Sequence, residues 1–159
     1  MHIHIIAVGR IKEKFLQDGI AEYEKRLRPY LRLSIREIPD ERRPAGASPS
    51  LEKAALDKEG ERILAAIPPG AQVIALDIGG QALSSTDLAA AVGEWELAGV
   101  NSVVFVIGGD LGLSPAVITR SNRRLSLSKM TFTHPMARLI LIEQLYRACR
   151  IRSGEPYHK

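Results

Sequence analysis

Two short apolar runs in the last third of the chain constrain the fold more than any other feature. The first, 103–107, reads Val-Val-Phe-Val-Ile and ends at a glycine pair that begins with Gly108. The second lies at 125–132 and leads, through His134, into a long apolar helix. Short apolar runs of this kind are typical of buried strands, and open α/β sheets bind ligands at the carboxyl ends of their strands. The pattern predicts a sheet whose strand-end loops carry the function.

Strands and helices alternate along the rest of the chain. Strands are predicted at 2–8, 31–38, 71–76, 103–107 and 125–127, with helices at 12–27, 50–67, 84–98 and 135–150 and a further helix start at Ser114. Two connections stand out: 39–49, predicted as a mobile surface loop, and 77–80, predicted as the loop after the third strand. The alternation predicts an α/β fold with a largely parallel sheet, in one domain spanning 1–159.

Composition narrows the classes of function. The net charge of +4 and pI of about 9.4 are compatible with nucleic acid, while an aromatic content of 5% argues against an RNA binder that stacks several bases. The single cysteine, Cys149, precludes an intrachain disulfide and is predicted to be a buried apolar residue. Without a signal peptide or an 18-residue apolar window, we expect a cytoplasmic protein that does not enter a membrane.

Motifs for phosphate and metal binding do not occur. The first strand is followed by a single glycine, Gly9, instead of a dinucleotide fingerprint, and no P-loop sequence is present. The four histidines are scattered, with no cysteine or carboxylate cluster at ligand spacing, so no metal site is predicted. His2 and His4 share one face of a strand and are expected to be polar residues at its rim rather than a metal pair.

Loops after several predicted strands remain as candidates for a ligand site. They contain the glycine pairs 79–80 and 108–109 and the segment 126–133. Each glycine pair taken alone indicates a tight turn as readily as a close approach of a ligand to the backbone. Because these loops are expected to meet at one edge of the sheet, a ligand crevice that they line together is as well supported as a set of simple tight turns.

The end of the chain combines an apolar helix with a polar tail. A helix that is apolar nearly all round must be covered on nearly all sides, which favours a homodimer over a central core helix in a monomer. Its arginines, Arg138, Arg147, Arg150 and Arg152, are expected to contact phosphate or, alternatively, to form a solvated face or intersubunit ion pairs. In the tail, His158 is able to move a proton near neutral pH.

These features together resemble a known family. The matching segments are 5–9, 57–61, 76–77, 107–109, 112–114, 127–132, 134–138, 143–148 and 156–158, and their order and spacing are more specific than any single segment. The chain is similar throughout to the bacterial ribosomal RNA large subunit methyltransferase H family, within the SPOUT superfamily. The resemblance implies a parallel-sheet α/β-knot fold with a C-terminal trefoil knot, an obligate homodimer, and S-adenosylmethionine as cofactor.

The resemblance also implies a substrate and site residues. The substrate is a pseudouridine of 23S rRNA within the 70S ribosome, methylated at N3. The implied cofactor residues are Leu76, Gly108, Leu127, Ser128, Lys129, Met130, Thr131 and Phe132. The catalytic candidates are His158 as base or base positioner, Tyr157 against the target base, Arg138 for charge or phosphate, and His134 as a second base or a helix-start residue. No catalytic role is placed on Asp110 or Leu111.

Two other functions stay open from the sequence. One is a related knotted methyltransferase that acts on transfer RNA, against which the compact chain and its tail argue. The other is a non-catalytic ribosome-binding or assembly factor that has kept the fold. Cofactor binding separates the second from an enzyme, and mapping of the methylated base separates the two enzymes.

Overall fold

The computed structural model describes residues 1–157 and contains a five-stranded, all-parallel sheet. The strands are β1 (His2–Val8), β2 (Arg32–Ile38), β3 (Gln72–Ala82), β4 (Ser102–Ile107) and β5 (Arg123–Ser126), and the helices are α1 (Lys14–Leu27), α2 (Pro49–Ala66), α3 (Ser85–Leu97), α4 (Pro115–Arg120) and α5 (His134–Arg152). The spatial order of the strands is β2-β1-β4-β3-β5. The predicted alternation of strands and helices and the parallel sheet are confirmed.

Alternate residues of the central strands face two separate cores. In β1, Ile3 and Ile5 belong to the larger core with α1, α3 and α5, whereas Ile6 and Val8 belong to the smaller core with α2 and α4. Successive side chains of a strand point to opposite faces of the sheet, so a fully apolar strand needs helices on both. The continuous apolar runs in the sequence therefore reflect a three-layer arrangement.

Serine caps begin three of the helices, as the sequence indicates for two of them. The Ser114 hydroxyl accepts from the amide of Val117, and that of Ser48 accepts from Leu51. At α3 a capping box is complete, since the Ser84 hydroxyl accepts from the amide of Asp87 while the Asp87 carboxylate accepts from the amide of Ser84. Each cap satisfies backbone amides that have no partner inside the helix.

The predicted loop at 77–80 lies within a strand. β3 extends to Ala82, and its pairing with β5 shifts register so that Leu125 is opposite both Leu76 and Gln81. Residues 77–80 form the bulge between those two pairings, and a Cβ on Gly80 would lie 2.6 Å from the backbone of Arg124. Local pattern did not reveal the longer strand because its second half is held only by β5, which is distant in sequence.

Much of α5 is covered within the chain itself. The helix packs against both α1 and α3, and Leu141, Ile142 and Leu145 are fully buried beside the sheet. Met136 and Ile140, one turn apart, remain partly exposed. Intrachain packing therefore accounts for most of the apolar surface from which a dimer was predicted. No helix within residues 1–157 is long and apolar enough to cross a bilayer.

The strand order creates a crevice in the middle of the sheet. β1 and β4 are neighbours, but the chain leaves β1 toward β2 at one end of the sheet and leaves β4 toward β5 at the other. Ligands of open α/β sheets bind outside the carboxyl ends of the strands at such a switch point. A ligand site is therefore expected at the ends of β1 and β4, at Val8 and Ile107.

Candidate active site

A cavity of about 460 Å³ opens at the carboxyl ends of β4 and β5, beside the start of the bulge in β3. We call it the glycine-loop cavity; its lining includes Leu76, Gly108, Leu127, Ser128, Met130, Thr131 and Phe132, which are all of the predicted cofactor residues except Lys129. Lys129 is exposed and is not part of the lining. The structure thus brings together three segments that are separated by up to about 50 positions in the chain.

The walls of this cavity are mostly apolar and locally braced. A Cβ on Gly108 would lie 2.3 Å from the carbonyl oxygen of Gly112, so only glycine fits the tight turn there. In the segment after β5, the Ser126 hydroxyl donates to the carbonyl of Ser128, and the Ser128 hydroxyl accepts from the amide of Met130. These bonds shape the segment 127–132, while the Met130 side chain itself is 76% exposed at the mouth.

A second cavity, of about 910 Å³, lies beside the first at the ends of β1 and β4. We call it the arginine cleft, since its walls are the turn 9–12 and the loop 40–47, which carry Arg10, Arg42 and Arg43. Gly109, Asp110 and His134 line both cavities. The two cavities are therefore neighbours with a common wall; the first is mainly apolar, whereas the second is lined by polar and apolar surface in nearly equal measure and contains several charged residues.

His134 occupies the common wall. It is the first residue of α5, and a Cβ on Gly9 would lie 3.4 Å from its Nε2 atom. The helix-start and base interpretations of His134 are therefore compatible, since the helix start itself brings the imidazole to both cavities. A side chain that reaches both is able to exchange a proton with a ligand in either.

Arg138 is buried beneath this region and lines neither cavity. Only 3% of its surface is exposed; its Nη1 donates to Glu37 Oε1 at 2.7 Å and its Nη2 donates to the carbonyl of Gly9 at 3.1 Å. The Nε atom is buried with no hydrogen-bond partner among residues 1–157. Arg138 thus ties α5 to the end of β1 and to β2, and holds the turn against which His134 packs.

Tyr157 lies far from the glycine-loop cavity of its own chain. Its ring packs edge-on against Tyr146 with centroids 4.9 Å apart, under the guanidinium of Arg147, and its hydroxyl bonds to Glu143 and Tyr23. Burial and these hydrogen bonds raise the pKa of Tyr157 well above its usual value. His134 precedes Tyr146 by about three turns of α5, or about 18 Å. Arg147 and Glu143, one turn apart on α5, form an ion pair at 2.7 Å.

The other residues considered in the sequence are His158, the pair His2 and His4, and Cys149. His158 lies outside the described residues. His2 and His4 lie in the amino-terminal half of β1, outside both cavities, with ring centroids 3.8 Å apart, and burial is the main cause that lowers the pKa of each. Burial raises the pKa of the Cys149 thiol to about 11. Within residues 1–157, no group of three or more His, Cys, Asp or Glu side chains is placed to hold a metal ion.

Two residues near the cavities, Asp110 and Glu59, make contacts that local sequence pattern does not reveal. Asp110, left without a role, lines both cavities and pairs with Arg43 at 2.5 Å. Glu59 is 3% exposed; its Oε2 accepts from the amide of Glu41, while Oε1 has no partner among residues 1–157. Burial raises the pKa of Glu59. A charged residue on a helix indicates a solvated face, so no sequence signal marked Glu59 as buried.

This fold, with its cavity at the strand ends, has known counterparts. Residues 1–158 match the family model described as "Predicted SPOUT methyltransferase". The crystal structure of a probable methyltransferase from Bordetella pertussis Tohama I is similar, with a TM-score of 0.56 and 17% identity over 92% of this chain and 95% of that chain. A probable methylase family protein from Haemophilus influenzae Rd KW20 has a TM-score of 0.52 and 12% identity over 99% of this chain and 70% of that chain. These two structures support the fold alone, and the family match defines the class as that of the SPOUT methyltransferases.

Relatives at higher identity narrow that class. Ribosomal RNA large subunit methyltransferase H of Symbiobacterium thermophilum is 52% identical over 161 residues, and the protein of that name in Carboxydothermus hydrogenoformans is 52% identical over 159. A Methanoregula boonei protein that bears the name as a provisional designation is 66% identical over 159 residues. Each alignment covers 100% of both chains. The chain belongs to the ribosomal RNA large subunit methyltransferase H family.

Proposed function

We propose that this chain uses S-adenosylmethionine to methylate N3 of a pseudouridine in 23S rRNA, on the assembled 70S ribosome in the cytoplasm. The observation that carries the proposal is the convergence of Leu76, Gly108 and the segment 127–132 on one cavity. These are the segments that the family resemblance assigns to the cofactor. The names of the relatives supply the class of substrate, ribosomal RNA of the large subunit.

The chemistry of the glycine-loop cavity fits that cofactor. Its volume of about 460 Å³ lies within the range of small-molecule pockets, and such pockets are mainly apolar with a few polar groups. Leu76, Leu127 and Met130 provide apolar wall for a flat base, and the backbone of the two loops provides hydrogen-bonding groups. Because Gly108 has no side chain, the turn toward Gly112 closes tightly and leaves the cavity open.

The bound cofactor supplies a methyl group on a positively charged sulfur, which needs no further activation by the protein. The chain's task is to hold the acceptor N3 in line with that methyl, which provides much of the rate enhancement in such reactions. The N3–H bond breaks as the new N–C bond forms, so a base must accept the proton. His134 is a candidate because it lines both cavities, and His158 in the tail is the other.

In this proposal the protein acts as a homodimer, and the tail of one protomer completes the site of its partner. The position of Tyr157 supports this arrangement, because its contacts with Tyr146 and Glu143 hold it about three turns of α5 away from His134. Tyr157 then approaches the target base only in the partner's site, where His158 would accept the proton or position the base. Arg138 supports the same site from below through Gly9.

The proposal includes a C-terminal trefoil knot within a single domain spanning 1–159. Family membership supports the knot. The modest net charge of +4 supports a folded ribosomal particle as the substrate, since an isolated hairpin offers fewer contacts and demands more electrostatic attraction.

Methyl transfer to ribosomes, followed by mapping of the modified base, tests the proposal. We expect methylation of one pseudouridine at N3 in 70S particles and inefficient methylation of a short naked hairpin. Modification of transfer RNA instead, or at another atom, would contradict the proposal. Calorimetry provides the second test: a chain that binds ribosomes but not S-adenosylmethionine would be a non-catalytic ribosome-binding factor.

A further inference from the structure

The arginine cleft has the position that an acceptor nucleotide requires. It lies at the carboxyl ends of β1 and β4, where the chain turns toward opposite ends of the sheet. Gly109, Asp110 and His134 separate it from the glycine-loop cavity, so a base in the cleft and a ligand in that cavity would meet at a common wall. Enzymes that act on a base take it out of its stack into such a pocket.

The cleft also contains cationic side chains that form no ion pair within residues 1–157. Arg10, Lys12 and Arg42 are exposed and form no ion pair with residues 1–157. The acidic residues of the cleft are partly neutralised: Asp110 pairs with Arg43, and Glu41 pairs with Arg62 and Lys58 from outside the cleft. Two carboxylates, Asp40 and Glu52, have no such pair within the described chain. Three unpaired cations therefore face two unpaired carboxylates.

The outer wall of the cleft is held in place from three directions. Glu41 donates its amide to the buried carboxylate of Glu59 at 2.9 Å. Arg62 donates to the carbonyl of Pro39 at 3.1 Å and to Glu41 at 2.7 Å. Arg43 crosses the cleft to Asp110 on the glycine loop. The loop 40–47, predicted as mobile, is thus a braced wall, and a preformed wall reduces the entropy lost on binding.

We propose that the arginine cleft binds the acceptor nucleotide of the RNA, with Arg10, Lys12 and Arg42 on the phosphates that flank the extruded base. The inference rests on the proposed function and adds the place and the residues of substrate recognition. Arg10 and Lys12 follow β1, and Arg42 belongs to the loop after β2, so the cleft receives cations from two separate segments of its lining. A backbone that passes through the cleft meets cations from both segments.

The test combines ribosome binding with steady-state methylation, at several salt concentrations. Arg10→Ala, Lys12→Ala and Arg42→Ala should each raise KM for 70S ribosomes and weaken sedimentation with them, and the triple variant should weaken binding roughly tenfold or more. Each lost phosphate contact should reduce the salt slope of log affinity by roughly 0.7 to 0.9. Calorimetry should give an unchanged Kd for S-adenosylmethionine, because none of the three residues lines the glycine-loop cavity.

Two controls sharpen the test. Arg28→Ala removes an exposed cation just past the end of α1, before the start of β2 and outside both cavities, and should leave binding and salt slope unchanged. Asp40→Asn removes an unpaired carboxylate from the cleft and should strengthen binding. An unchanged KM and salt slope in the triple variant, with an active wild type, overturns the cleft assignment.

Failure of the proposed function has a different signature. A wild type that transfers no methyl group to ribosomes contradicts the reaction, yet sedimentation of the same variants still tests the cleft. If those variants then bind ribosomes as tightly as the wild type does, the cleft assignment fails as well. If they bind more weakly, the cleft is an RNA site on a non-catalytic protein.

Discussion

Arg43 and Asp110 are 67 positions apart in the sequence, yet Nη2 of Arg43 lies 2.5 Å from Oδ2 of Asp110. The pair joins the loop after β2 to the glycine loop after β4, between the two cavities. The pair connects the loop 40–47, which lines the arginine cleft, to Asp110 in the common wall of the two cavities. The Arg43–Asp110 pair is thus one contact that holds the loop 40–47 against the glycine loop.

The Arg43–Asp110 pair predicts a particular dependence of stability on pH. The Arg43 guanidinium, chiefly through its hydrogen bond, lowers the pKa of Asp110 from the unfolded value of 3.8. Because the pKa of Asp110 is lower in the folded state, its ionised carboxylate stabilises the folded protein fully above pH 3.8. That stabilisation is lost as the pH falls through the folded-state pKa. The free energy of unfolding of Asp110→Asn should therefore lie below that of the wild type near pH 6, by less than about 1 kcal/mol for a solvent-exposed pair.

Urea denaturation of both proteins between pH 2.5 and 7, on the order of one measurement per half unit, checks this sign. The two curves should converge at the acidic end. A difference that is constant across the range, or that grows in acid, would show that the pair does not contribute through the charge of Asp110.

Gly108→Ala should abolish or greatly weaken cofactor binding. The added Cβ would lie 2.3 Å from the carbonyl oxygen of Gly112, and it meets backbone, so the loop must move. We expect at least a tenfold increase in the Kd for S-adenosylmethionine, equivalent to about 1.4 kcal/mol, by calorimetry. Gly99→Ala is the matched control: Gly99 has a φ of +71° and lies outside both cavities, so it destabilises the fold without changing that Kd. Equal affinity in both variants contradicts the assignment of the cavity.

Arg138→Ala should cost stability more than cofactor affinity. The substitution removes the donor to the Gly9 carbonyl and the partner of Glu37, which we expect to lower the free energy of unfolding by about 2 to 3 kcal/mol. Glu37→Gln keeps an oxygen acceptor for Arg138 and should cost clearly less. Guanidinium melts measure both variants. A large drop in kcat for Arg138→Ala with full stability would instead indicate direct contact with substrate.

Tyr157→Ala and Tyr157→Phe should separate the two contacts of this side chain. The first removes the edge-on contact with Tyr146 and the contact with Arg147, and the second removes only the hydroxyl that bonds to Glu143 and Tyr23. An aromatic pair contributes about 0.5 to 1.5 kcal/mol beyond burial, so Tyr157→Ala should lower kcat by up to roughly tenfold more than Tyr157→Phe. Single-turnover methylation of ribosomes measures both. Identical rates for the two variants contradict the anchoring of the tail by the ring.

Mixed dimers test whether the active site is shared between protomers. One variant, His158→Ala, lacks a candidate base but keeps its glycine-loop cavity. The other variant, Gly108→Ala, keeps His158 but has a disrupted glycine-loop cavity. If the tail acts on the partner's site, a heterodimer of the two has one complete site, and mixing should restore up to roughly half of the wild-type single-turnover rate. His158→Ala alone at the wild-type rate removes His158 from the mechanism. A verified heterodimer without activity contradicts the composite site.

Local sequence pattern was sufficient for the elements and for part of the site. The apolar runs predicted the parallel strands, and Ser84 and Ser114 predicted helix starts, because these signals depend on residues within a few positions of each other. The convergence of Gly108 with the segment after β5 followed from the rule that parallel strands present their carboxyl ends at one edge. Family resemblance, not pattern, supplied the cofactor and the substrate.

Pattern failed where two distant segments decide the outcome. Residues 77–80 read as a loop because nothing near them in the sequence indicates that β5 pairs with Gln81. A charged residue such as Glu59 is expected to be exposed, because helical periodicity in the sequence does not show that the loop carrying Glu41 covers it. No local pattern showed that Tyr157, which the family resemblance assigns to the target base, packs its ring against Tyr146 of its own chain.

The sequence by itself determined the layers of this protein: which strands are apolar on both faces, where helices begin, and which loops follow buried strands. Those properties arise from burial and backbone geometry over short distances along the chain. Only the tertiary structure decided that Asp110 and His134 stand between two cavities, that Arg43 reaches Asp110, and that Arg138 lies buried under Gly9. Those relations depend on the order of strands in the sheet, which sets the partners of each strand end and is not encoded in any local period.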